Sequence, residues 1–354
     1  MKREFYLGTY ASPEEDGILR VEADFGKEQF TVKKAFKGIE NPSWTAFDNA
    51  EENVLYCVNE RTPDGGISAF RIEDGELVKA AELPTGGSDP CHISFNKSEK
   101  FLFAANYTSG SLSVFILDEN GIPVQRTDFQ QHEGKGVNPA RQEGPHVHFS
   151  QYHKGELYCV DLGLDTIFRY TLDKKNGKLT EKQPFIHLPE GNGPRHFVFS
   201  PDHPDRIYIL TELTSSVFFY EEEDGEYKLR QKISALPTGF DGENTAAAIR
   251  ISADGKYLFT SNRGDDSIAQ FRVRKDGKLE LLSIVKTGGR TPRDIALFGH
   301  LSDGSGKKSY LIAANQDSRE LTALRWNEEK ETLEEMYMKL SVQGKPVCIL
   351  PVTE

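Results

Sequence analysis

The chain is 354 residues long, with 43 Lys and Arg against 55 Asp and Glu and a formal net charge of −12. That acidic surplus repels phosphate backbones and anionic lipid, so nucleic acid and membrane surface are excluded as expected partners. With 37% hydrophobic residues there is material for a sizeable core, yet no run of about 18 apolar residues that would cross a bilayer as a helix.

In chain order, the N-terminal MKREFYLGTY enters a strand pattern almost at once and lacks the apolar centre of a signal peptide. Three strands are predicted there: REFYLGTY, DGILRVEA and QFTVKKAFK. From residue 41 a unit repeats. Its first strand opens on a small residue or Pro, as in NPSWTAFD, DPCHISFN, GPHVHFS, GPRHFVFS, TAAAIRIS, TPRDIALF and KPVCIL. Phe47, Phe95, Phe149, Phe199, Ile251, Leu297 and Pro351 mark equivalent positions, spaced about 50 residues apart. The second strand is apolar and ends in a polar residue (VLYCVN, FLFAAN, ELYCVD, RIYILT, YLFTSN, YLIAAN). A third strand follows a Gly, Ser or acidic turn, and a charged outer strand follows an Asx-Gly type of turn, as in GELVKAAELPT and GKLTEKQPFIHL.

A repeat of this length with four short strands predicts an all-β, seven-bladed β-propeller of four-stranded antiparallel blades, read as one domain over residues 1–354. The C-terminus supplies only a first strand, Pro346 to Leu350. It is expected to join the three N-terminal strands and so close the ring, removing two exposed sheet edges. Cys57, Cys91, Cys159 and Cys348 fall inside predicted inner strands without metal-ligand spacing. They are read as buried thiols of a cytoplasmic protein, with neither a disulfide nor a zinc site.

In such a ring, the residues that open each first strand and those that follow each second strand are expected around one mouth of the central channel. The opening positions include His92, His146, Arg195, His196 and Asp294. The positions after second strands include Asn106, Asp161, Glu212, Asn262 and Arg263. Three of the nine histidines thus share one repeat position, with His148 beside one of them. For His92, a satisfied core histidine is as good a reading as a functional one. Arg195 and Arg263 require anionic partners, because an unpaired buried charge is costly. Either Glu212, Asp161 or Asp294 neutralises them, or they await a substrate carboxylate or phosphate, which suits the guanidinium fork. The longest departure from the repeat, Arg126 to Glu143, is expected to be a structureless loop, either a wall or partial lid over the mouth or a tolerated insertion.

The segments HEGKGVNPARQEGPHVHFS, GPRHFVFSP, TELTSSV and SNRGDDSIAQF resemble the seven-bladed lactonase family. That family includes bacterial cycloisomerase-type 6-phosphogluconolactonases and fungal carboxy-cis,cis-muconate cyclase. The resemblance covers essentially the whole chain and implies a catalytic set of His146, Arg195, Glu212 and Arg263, with no cofactor and no metal. Arg141, Gln142, Glu143 and His148 belong to the same loop motif, and with His196, His92, Asn106 and Asn262 they are expected to bind substrate. The implied activity is hydrolysis of a small anionic sugar lactone, 6-phosphogluconolactone, in the pentose phosphate pathway. A muconate-type lactonising enzyme, another sugar lactonase and a non-catalytic scaffold for a protein partner remain alternatives. No protein partner is indicated. Neither the general base, His146 or Glu212, nor the division of phosphate and oxyanion between the arginines is determined at this stage. No G-x-S-x-G, paired Cys or H-E-x-x-H motif occurs, which disfavours a covalent serine or a zinc mechanism.

Overall fold

Alternating sequences bounded by Gly and Asx turns form strands throughout the computed structural model, which describes residues 1–47, 53–96, 99–299, 309–327 and 329–352. Among the described residues there is no helix, and so none long and apolar enough to cross a membrane. The N-terminal strands are β1 (Lys2–Tyr10), β2 (Ile18–Asp24) and β3 (Gln29–Phe36). Then come β4 (Thr45–Phe47), β5 (Val54–Asn59), β6 (Gly66–Glu73) and β7 (Glu76–Pro84), followed by β8 (Pro90–Asn96), β9 (Phe101–Asn106), β10 (Ser111–Leu117) and β11 (Pro123–Gln131). The next sheet holds β12 (Val147–His153), β13 (Glu156–Asp161), β14 (Thr166–Asp173), β15 (Lys178–Glu181) and β16 (Ile186–His187). After it come β17 (Pro194–Phe199), β18 (Arg206–Thr211), β19 (Ser216–Glu223) and β20 (Glu226–Ser234), then β21 (Thr245–Ile251), β22 (Tyr257–Arg263), β23 (Ser267–Val273) and β24 (Leu279–Lys286). The last repeat is β25 (Pro292–Phe298), β26 (Tyr310–Asn315), β27 (Glu320–Asn327) and β28 (Thr332–Ser341), and β29 (Lys345–Pro351) ends the chain.

These strands form seven sheets, and the C-terminal β29 pairs with β1 in the order β29-β1-β2-β3. This is the strand order of a seven-bladed propeller with both chain ends in one blade, as the repeat predicts. Two local differences have clear causes. Residues 126–131, expected in a loop, are the end of β11 and pair with β10 from Gln131 opposite Ser111 to Arg126 opposite Phe115. The connection to the next blade therefore begins only at His132. The outer strand predicted over GKLTEKQPFIHL is broken into β15 and β16, both on β14, because Pro184 lies between them and has no N–H to give a ladder.

The described chain groups into two compact units. One comprises Met1–Leu7, Arg20–Lys34 and Arg195–Pro351, and the other Gly8–Leu19, Ala35–Pro194 and Val352–Glu354. Within each unit, every residue of second strands such as β5, β9 and β26 is buried, while outer strands such as β7 and β20 alternate toward solvent. Neighbouring sheets are locked by side chains that recur with the repeat. In the second unit Tyr56 is fully buried among Ile93, Leu102 and Phe115 and donates its hydroxyl to Gly121 O at 2.5 Å. In the first unit Tyr208, at the same place in its repeat, donates to Gly277 O at 2.8 Å. Burying such a side chain stabilises by about 1.5–3 kcal/mol, and its phenol must find a partner once water is gone. The four cysteines are buried free thiols, and burial pushes the Cys57 and Cys159 thiols up.

Candidate active site

Arg195, the second residue of β17, and Arg263, the last of β22, are brought together by Glu212, which directly follows β18. Oε2 of Glu212 lies 3.0 Å from Arg195 Nε and 2.7 Å from Arg263 Nη2. Arg195 also donates through Nη1 to Ala247 O at 2.6 Å and meets His196 Nε2 at 3.4 Å. Arg263 donates to Ala246 O at 3.1 Å. Glu212 is thus the anionic partner of both arginines. Asp294 pairs instead with Arg250 at 2.5 Å, and Asp161 with His132. One carboxylate between two guanidiniums leaves the trio with one net positive charge. In a water-poor site that charge favours an anion or a developing oxyanion. Gly264 permits this geometry: its φ is 135°, and a Cβ there would lie 2.2 Å from Glu243 O.

His146 sits just before β12, at the end of the long connection. Its Nδ1 is 3.1 Å from Tyr107 O, and its ring stacks on Tyr107 with centroids 4.5 Å apart. A carbonyl oxygen only accepts, so Nδ1 carries a hydrogen. Nε2 lies 3.3 Å from Glu143 Oε1. Glu143 is exposed, and its own backbone N–H and the neighbouring His146 hold its carboxyl below the usual range. Arg141 reaches the Tyr107 hydroxyl at 3.3 Å. His148 is buried, with Tyr107 edge-on at 5.5 Å and Cys91 Sγ 3.8 Å from its Nδ1.

Other residues singled out in the sequence have their polar groups engaged by the fold. Gln142 is fully buried; it donates to Leu162 O at 3.0 Å and Asp165 Oδ2 at 2.8 Å and accepts from Asn138 N at 3.2 Å, which braces the loop from within. Asn106 donates to Ser111 Oγ at 3.1 Å and Ser113 Oγ at 3.2 Å. Asn262 donates to Ala235 O at 2.7 Å and Ser267 Oγ at 3.2 Å. Asn59 and Asn315 make the same kind of link to Ser68 and Thr322. The polar residue that ends second strands is therefore first a staple within its blade. His92 accepts from Ser150 N at 3.4 Å between the rings of Trp44 and Phe149. Tyr107, which directly follows Asn106, was not among the residues singled out in the sequence. The aromatic next to the blade-ending Asn was the only signal it offered.

Strand order and site chemistry together define a class: an all-β protein of seven four-stranded blades with arginine, glutamate and histidine where strands begin and end. The chain matches the family "Lactonase, 7-bladed beta-propeller" over residues 4–351. It belongs to that family and is a lactone-hydrolysing enzyme of the 6-phosphogluconolactonase type. It is 32% identical over 351 residues to the 6-phosphogluconolactonase of Bacillus subtilis (strain 168), covering 97% of each chain. A crystal structure of a protein from Lactobacillus plantarum superposes with a TM-score of 0.89 at 28% identity over the full length of both chains. The periplasmic gluconolactonase of Pseudomonas aeruginosa also gives 0.89, at 26% identity over 100% and 99% of the two chains.

Proposed function

We propose that this lactonase hydrolyses 6-phosphogluconolactone to 6-phosphogluconate in the cytoplasm, as a step of the pentose phosphate pathway and without a metal ion. The observation that carries this reading is the single carboxylate oxygen of Glu212 held between Arg195 and Arg263. It pre-forms a cationic pair suited to a phosphate or to the oxyanion of an opening lactone. The donor set supports metal-free chemistry, since guanidiniums repel a cation. Among the described residues no group of three or more His, Cys, Asp or Glu is disposed to hold one.

His146 is the general base in this reading. Glu212 Oε2 lies against two guanidiniums, whereas His146 has Nδ1 bonded to Tyr107 O and Nε2 beside the exposed Glu143, and Nε2 is the atom that takes the proton in this reading. His146 takes a proton from water as the oxygen attacks the lactone carbonyl, whose oxygen takes up the negative charge. When the ring C–O bond breaks, the proton returns to the departing ring oxygen, giving a hydroxyl and a carboxylic acid, which releases its remaining proton to water as the carboxylate. Arg141, Glu143 and His148 are the remaining candidates for contact with the sugar. Four buried thiols suit a reducing compartment; cell fractionation decides this, given a periplasmic relative.

The test is lactone hydrolysis in chelator-treated buffer, with phosphorylated and plain gluconolactone side by side. Wild-type enzyme should turn over the phosphorylated ester faster, and His146→Ala should lower kcat by ~10²–10⁴-fold. Arg195→Ala and Arg263→Ala should harm the phosphorylated substrate more. Equal losses on both lactones would mean that neither arginine reads phosphate, and activity restored only by a divalent ion would reject the metal-free route.

A further inference from the structure

The repeat provides an internal control for one residue behind His146. Second strands end in or just after Asn59, Asn106, Thr211, Asn262 and Asn315; the four asparagines each bond a Ser or Thr hydroxyl of the following strand, and Thr211 bonds the main chain of Ser216 there. In β13 the same position is Asp161, and it breaks the pattern. Its register partner Thr166 turns away, donating its hydroxyl to Leu164 O at 2.8 Å and meeting His187 Nδ1 at 3.1 Å.

Asp161 points to the loop that carries His146. Its Oδ1 accepts from His146 N at 2.8 Å and Leu164 N at 3.1 Å. Its Oδ2 lies 2.6 Å from His132 Nδ1, which must carry the hydrogen because a carboxylate only accepts. His132 Nε2 in turn meets the Tyr170 hydroxyl at 2.8 Å. All three side chains are buried, at 0% exposure for Asp161, 5% for His132 and 0% for Tyr170. Burial pushes the Tyr170 phenol up, so it stays a hydroxyl.

A buried carboxylate is costly to desolvate, and an Asn here would have repeated the staple of the other blades. What the charge adds is a strong, directional acceptor for the His146 amide. The His146 carbonyl is tied to the same turn, accepting from Leu162 N at 2.9 Å. Both main-chain groups of His146 are therefore anchored to the end of β13, while its ring is held separately by Tyr107. We propose that Asp161, backed by His132 and Tyr170, is a positioning residue that sets the imidazole of His146 for proton transfer. This rests on reading His146 as the proton acceptor.

The experiment uses the full-length protein labelled with 15N-histidine, with lactone kinetics and ring-nitrogen spectra recorded on the same samples and His146→Gln serving for assignment. Asp161→Asn keeps the shape and one acceptor oxygen but removes the charge. Its kcat should fall by about tenfold or more, toward the ~10²-fold that a misplacement of about 1 Å costs, with KM changed by less than about threefold. The His146 Nδ1 signal should shift as its bond to Tyr107 O loosens. An unchanged His146 signal overturns the proposal, whether or not kcat falls, because the effect would then not pass through that ring. If Asp161→Asn does not fold, His132→Asn leaves the carboxylate and its two amide bonds in place and is judged by the same two readouts. If wild-type protein opens no lactone, the proposed reaction fails by itself, and the His146 spectrum still decides whether Asp161 positions it.

Discussion

The arginine–glutamate trio and the His146 region are built by opposite means. Arg195, Glu212 and Arg263 stand at or next to strand ends of the repeat and are held chiefly by one another, with main-chain carbonyls taking the remaining donors. His146 sits at the end of an insertion and is held by what lies beneath it: Asp161 under its amide, Gln142 bracing the loop, and Tyr107 against its ring. The lesson is that charged groups can supply their own scaffold when they alternate in sign, whereas a lone imidazole needs packed and hydrogen-bonded neighbours to fix its direction.

Removing the keystone of the trio should do the most damage. Glu212→Ala leaves two guanidiniums without their shared carboxylate, so unfolding free energy should drop by about 3–5 kcal/mol, with activity lost alongside. Denaturant titration checks this, and an unchanged midpoint would show that the trio does not hold itself together.

A smaller, local effect should follow in the other region from Gly163→Ala. A Cβ at Gly163 would lie 1.9 Å from Gly144 O and 3.0 Å from His146 N. The loop must lift, at about 1–3 kcal/mol for overpacking. Turnover should fall further than stability does, as paired kinetic and thermal measurements would reveal. Full activity in a folded variant would contradict a fixed His146.

The smallest effect concerns Asp294. Burial raises its carboxyl above 3.8, against the pull of Arg250, the Ile349 and Ile295 amides and Arg195. The folded protein therefore takes up this proton at higher pH than the unfolded chain. The stabilisation from that uptake grows as pH falls through the raised value toward 3.8 and is absent above the raised value. Relative to Asp294→Asn, wild type should gain stability on acidification across that window. A difference in unfolding free energy that is flat with pH would show that burial leaves this carboxyl unperturbed.

Much of the architecture is legible in the chain itself. Strand alternation has a period of two and turns are marked by Gly and Asx, so both are local signals. The joining of β29 to β1 follows from counting strands. The errors were local competitions: RTDFQQ reads as loop because it leads into Gly134 and Gly136, yet its ladder with β10 extends it to Gln131. The site was less legible. Equivalent repeat positions marked Arg195, Glu212 and Arg263 as candidates, but Asp161 and Asp294 were equally good partners on paper.

By itself, then, the sequence determined the seven blades and the roster of polar residues at strand ends, which depend on near neighbours in the chain, and the pairing of the chain ends, which follows from the strand count. Only the tertiary structure decided which carboxylate meets which guanidinium, that Asn106 and Asn262 staple their blades, and that Asp161 turns away from its blade toward His146. Those outcomes depend on the directions of side chains from strands distant in sequence, and on where water is excluded. Neither is encoded in a periodicity.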